Sequence, residues 1–254
     1  MTHLRWIPSV PASAFHAASA ILESRSLTNP ALQKALSEPV GRMNNAVPGT
    51  ASWMNRDSSE ADAARAILDA FNRAVPTAAR ELELRVAPLR EQWEARGPGL
   101  LHRVGKLTEP GLIAQSADVV LLYPALGGGG RVIRTSPGAV AIEAVLANPL
   151  PELPEVVRLG WLLAQLEFCG HPTSTQFAPD RLAEVGPLAI LPAVLAVAED
   201  LELIRSAEAA LPRAIEAWHL GPADSAVIAD WWQRYQAEKP AWGAAVENLD
   251  GRLA

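Results

Sequence analysis

Apolar residues near the start of the chain recur at helical spacing. Phe15, Ala18, Ile21 and Leu22 line one side of residues 11–25, and Thr28-Asn29-Pro30 opens a second short helix with proline in its first turn. Pro39, Gly41, Asn44, Asn45, Pro48 and Gly49 crowd residues 38–53, which therefore read as a loop or a linker. Ser58 or Ser59 then caps a helix in which Ala63, Ile67, Leu68 and Phe71 repeat on one face. Leu82, Leu84 and Val86 alternate with Glu83 and Arg85, a period that suits a strand about as well as a helix, and Pro88 favours the strand. Residues 89–107 are helical, with an interruption at Gly97-Pro98-Gly99.

The pattern then becomes extended. Residues 118–123 form a continuous apolar run of β type stopped by Pro124, as a buried strand would be. Four glycines, Gly127, Gly128, Gly129 and Gly130, lead into two more strands, residues 131–135 and 139–146, separated by the turn signal Ser136-Pro137-Gly138. Beyond Pro154 the pattern is helical throughout, with Val157, Trp161, Leu162 and Gln165 along residues 155–168 and further helices from about Pro187, Leu211 and Pro222. These elements predict an α+β fold that is mostly helical, with a small mixed or antiparallel sheet within about residues 82–146. The chain divides into N-terminal helices and a loop (1–56), an α+β core (57–170) and a C-terminal helical section packed on it (171–254), together one compact unit.

Composition narrows the function classes. The net charge is −6, with 22 Lys+Arg against 28 Asp+Glu, which argues against nucleic acid as a partner, since phosphate binding needs a basic surface. From Ala196 onward acids outnumber bases about two to one, which reads as a solvated helical face. The lone Cys169 permits no internal disulfide. Pro8, Pro11 and His16 break up what would be a signal peptide, and the apolar run 185–198 is too short to span a membrane. The expectation is a soluble, cytoplasmic protein with no membrane partner. Lys34, Lys106 and Lys239 are its only lysines, and the abundance of Ala, Pro and Gly fits a GC-rich bacterial coding sequence.

The order of elements over residues 59–168 (helix, strand, helix, strand, glycine-rich hairpin, strand, helix) resembles the core of the zincin metallopeptidases. In that family a strand walling the cleft precedes a helix bearing His-Glu-x-x-His, whose two His grip zinc while the Glu acts as general base. The resemblance aligns Trp161 with the first His, Leu162 with the Glu and Gln165 with the second His. None is a normal zinc ligand, so the resemblance implies a pseudoenzyme core with no metal and no cofactor. It covers about 110 residues and rests on element order. The string 93–99 is otherwise reminiscent only of an uncharacterised bacterial family.

Other candidates come from local chemistry. Gly127 to Gly130 with Arg131 and Arg134 have the makings of an anion nest, or simply of a flexible hairpin tip; without Lys-Ser/Thr or a following helix they are not a P-loop. Glu94 and Arg96 beside Gly97-Pro98-Gly99 form an acid and a clamp, or a plain helix interruption. Glu143, mid-strand among apolar residues, is either an acid–base group with a raised pKa or a carboxylate on the solvent side of the sheet. Cys169 and His171 fall short of a metal site. Trp231, Trp232 and Tyr235 form an aromatic face, either core or interface. The leading expectation is a non-catalytic binding or scaffolding module with an unidentified protein partner. A metal-independent hydrolase or transferase using Glu94, Arg96 and Glu143 near the glycine loop 127–130, or a self-associating structural protein, are the alternatives.

Overall fold

A computed structural model describes residues 2–46, 58–133, 136, 138–145, 150, 152–167 and 179–253. Among the described residues, nine helices surround a four-stranded mixed sheet, so the α+β, mostly helical class holds. The sheet differs from expectation in where it begins. Its first strand, β1 (His3–Pro8), lies at the N-terminus, ahead of the helices α1 (Val10–Leu22), α2 (Pro30–Ala46), α3 (Ser58–Ala74) and α4 (Ala78–Leu107). The strands β2 (Ser116–Leu122), β3 (Gly130–Val132) and β4 (Ala139–Glu143) follow. The order across the sheet is β1-β2-β4-β3, with β1, β2 and β4 parallel and the edge strand β3 antiparallel to β4.

Three expectations are corrected. Residues 82–87 are not a strand but the second turn of the 30-residue α4. The alternation there was misleading: Leu82 is fully buried while Leu84 is 61% exposed. The buried stripe runs Leu82, Leu89, Trp93, Gly97, Leu100 and Val104, a helical spacing. Pro88 and Pro98 are accommodated because the carbonyls they leave without an amide partner, on Leu84 and Glu94, belong to exposed residues that water reaches. Gly97-Pro98-Gly99 likewise lies within the helix. Its Gly97 gives room to the Trp93 ring, which a Cβ would overlap. The loop expected over 38–53 is helical as far as Ala46; the rest of it lies outside the described residues.

The remaining helices are α5 (Glu155–Leu163), α6 (Pro179–Asp200), α7 (Ala207–Ala217), α8 (Ser225–Glu238) and α9 (Trp242–Leu253). One apolar cluster joins α4 to α9 with the Val119, Leu121, Val140 and Ile142 face of the sheet. A smaller one joins α1, α2 and α3, built on Ala14, Ala17, Leu32, Leu36, Ile67 and Phe71. Residues 181–200 have the length and hydropathy of a membrane span, yet most of that stretch is buried as the central part of α6. Trp231 and Trp232 stack with Tyr235, Trp242 meets Trp231 and Tyr235 edge-on, and all are buried in the main cluster, so the aromatic face is core rather than interface.

Candidate functional site

Strand parity decides what Glu143 does. In β4, Val140 and Ile142 face the large cluster, so Ala139, Ala141 and Glu143 face the opposite way, toward α1. That face is covered, and Glu143 has 0% exposure. The turn after β2 wraps around its carboxylate. Oε1 accepts from Ala125 N at 2.9 Å and Leu126 N at 2.7 Å, and Oε2 from Gly128 N at 2.8 Å and Gly129 N at 3.1 Å. His16, on α1, places Nε2 2.9 Å from Oε1. Burial pushes the Glu143 carboxyl up, but the bond and charge interaction with His16 and the Leu126 and Gly128 amides outweigh it, holding the pKa at about 2.

Both readings made for Glu143 from sequence are therefore corrected. It is neither solvent-facing nor a raised-pKa acid; it is a buried carboxylate held ionised at neutral pH. The glycine nest does exist, but the chain's own carboxylate fills it and takes the Gly128 and Gly129 amides that an external anion would need. Gly127 is at φ 82° and Gly128 at φ 153°, conformations that let the turn close around a carboxylate.

A second buried charge fixes the other side of this turn. Arg158, in the second turn of α5, is 1% exposed. Its Nη1 donates to Gly129 O at 2.8 Å and its Nη2 to Glu143 O at 2.5 Å and to the carboxylate of Glu155. Burial pushes the Glu155 carboxyl up, and Arg158 counters it. Helix α5, strand β4 and the glycine turn are thus joined by one polar network inside the fold.

Beside this network lies a cleft of about 750 Å³. The edge strand β3 lines it through Arg131 and Val132, α1 and its C-cap through His16 and Glu23, α5 through Trp161, and the turn after α5, which ends at Leu163 rather than running on to 168, through Gln165. The turn after α7 adds Trp218 and His219. At the positions aligned with a zinc motif, each side chain has a packing role. Trp161 Nε1 donates to Pro187 O at 2.9 Å, and its ring lies 5.1 Å from that of Trp218. Gln165 Nε2 donates to Trp161 O at 2.9 Å, and Leu162 packs so closely on Gly130 that a Cβ there would have to displace it. No group of three or more His, Cys, Asp or Glu side chains is placed to hold a metal among the described residues.

The other candidates do not converge. Glu94 and Arg96 are exposed on α4, whereas Glu143 is sealed in its nest, so the acid–clamp–base constellation is not assembled. Arg134, Cys169 and His171 lie outside the described residues. Sequence reasoning passed over His16, Arg158 and His219. A lone histidine in an alanine-rich helix, and a lone arginine among the valines and leucines of 156–163, were the available signals. Nothing in the sequence marked His219, which ends α7 at φ 58°. Comparison with protein-family models, with curated proteins and with solved structures gave no match.

Proposed function

We propose that this chain is a non-catalytic binding module built on a zincin-like core in which the strand expected over 82–87 is replaced by helix, with the cleft between β3, α5 and α1 as its ligand site. The supporting observation is a single juxtaposition: the edge strand β3, Trp161 on α5 and Gln165 in the turn just after it line the same cleft. Those positions carry an indole and an amide engaged in internal hydrogen bonds where a hydrolase would carry metal ligands. Glu143, the one candidate acid close to the cleft, has its carboxylate lone pairs committed to four amides and an imidazole, so it has no capacity left for proton transfer.

Two measurements on purified chain test this. Elemental analysis after equilibration with zinc is expected to show well under one equivalent, and a mixed-peptide hydrolysis assay with zinc no cleavage above background. Stoichiometric zinc, or zinc-dependent cleavage, would overturn the reading. A cleft-filling Val132→Trp variant that keeps the wild-type melting temperature is expected to lose ligand binding; unchanged binding would move the site elsewhere.

A further inference from the structure

We infer that the cleft binds a small carboxylate on an apolar body, the carboxylate lying against Arg131, Arg25 and His219, which takes up one proton as the ligand enters. This rests on the binding-module reading and deepens it by naming the ligand class.

The case begins with polar atoms that the fold leaves unserved. His16 is 6% exposed and lines the cleft; its Nε2 is bonded to Glu143, while its Nδ1 is buried with no partner. His219 also lines the cleft, and its Nε2 is likewise buried and unpartnered. Folded proteins rarely leave such atoms orphaned, and the one on His219, within reach of the Arg25 charge, is the one an entering group would complete. His219 follows the C-cap of α7 at φ 58°, the left-handed turn that commonly ends a helix, with the Leu220 amide donating to Ile215 O at 3.0 Å.

Charge gives the sign of the ligand. Arg181, also in the lining, is engaged by Glu184 at 2.9 Å and by Asp250. Arg25 shares Glu23 at 3.3 Å. Arg131, on the edge strand, senses both of these and has no side-chain ion pair among the described residues, so two guanidiniums face the single carboxylate of Glu23 here, the Glu143 anion being already held by four amides and His16. Arg25, His16 and Glu143 are the charged or titratable groups that act on His219. Burial first, and then the Arg25 charge, hold its pKa below the usual histidine value, so it stands neutral at pH 7. An entering carboxylate offsets Arg25 and lets Nε2 accept a proton from solvent: carboxylate plus proton plus neutral imidazole give a carboxylate–imidazolium pair. Trp161, Trp218 and Leu188 line the same cleft for the apolar body, and its volume suits a small molecule.

Isothermal titration of the full chain with 3-phenylpropanoate and with 3-phenylpropanamide tests this, run at pH 7 and 8 in two buffers of different ionisation enthalpy. The acid is expected to bind at least about tenfold more tightly than the amide, with about one proton taken up and up to about tenfold loss per pH unit on the alkaline side. His219→Asn, which tolerates positive φ, is expected to abolish proton uptake and flatten the pH dependence. Arg131→Gln is expected to weaken the acid about tenfold and leave proton uptake in place. Equal affinity for acid and amide without proton uptake, or binding of neither, overturns the inference. Because neither result involves zinc or cleavage, failure here is distinct from failure of the binding-module reading.

Discussion

Glu143→Gln isolates the buried anion with almost no change in shape. The carboxylate accepts five hydrogen bonds, three on Oε1 and two on Oε2. A glutamine offers one oxygen and one NH2 group. In its better orientation the amide nitrogen faces the Gly128 and Gly129 amides and leaves two buried donors without an acceptor. At about 1–3 kcal/mol for each orphaned donor, the loss is about 4 kcal/mol. Acid titration gives an independent figure. Because the folded pKa lies below the ordinary value of 4.5, the carboxylate contributes stability that is fully present above pH 4.5 and lost as pH falls toward 2. A displacement from 4.5 to about 2, at about 1.4 kcal/mol per pH unit, corresponds to about 3 kcal/mol, of which about 2 is gone by pH 3. Urea denaturation of wild type and Glu143→Gln at pH 7 is expected to show a difference of 3–4 kcal/mol. At pH 3 the difference is expected to shrink by about 2 kcal/mol, since protonation removes the same charge from the wild type. A loss below about 1 kcal/mol at pH 7, or a difference independent of pH, would show that the glycine turn is not held by this carboxylate.

Arg158→Met leaves Glu155 and the carbonyls of Gly129 and Glu143 without their donor, and a loss of about 3–5 kcal/mol is expected by urea denaturation. Gly97→Ala gains helix propensity worth about 1 kcal/mol but drives a methyl into the Trp93 ring, so a net fall in Tm with a shift in tryptophan emission is expected. Lys239 ends α8 at φ 45°, its amide donating to Tyr235 O at 2.8 Å; Lys239→Gly is expected to raise stability by about 0.5–1 kcal/mol, and a loss would contradict the cap assignment.

What the sequence made legible was what local pattern controls. β2, an apolar run ended by Pro124, and β4, alternating Val140 and Ile142 with alanines, signalled themselves as strands. So did α3 with Ile67 and Phe71. β1 did not, because six residues ending in Pro8 become a strand only through a partner more than a hundred residues away. Leu84 misled because its side chain is exposed on a helix long enough to absorb two prolines. The polar network was hidden for a related reason. Glu143, His16 and Arg158 come from three separate stretches of chain, and the sense of each depends on the others: a buried carboxylate reads as costly until its donors are known. The glycine run announced a nest, and only the fold shows that its occupant is internal.

The pairing of β1 with β2 also bears on how the protein is made. Arg5 and Asp118, which meet across these strands, are 113 residues apart. At about 5–20 residues per second, a ribosome needs roughly 6–23 s to supply the second strand after the first has emerged. Throughout that interval Leu4, Trp6 and Ile7 have no sheet to join, so the helices between them are synthesised before the sheet they flank can close. Nascent chains arrested before and after residue 122 would reveal this as an abrupt gain in protease resistance of the N-terminal segment.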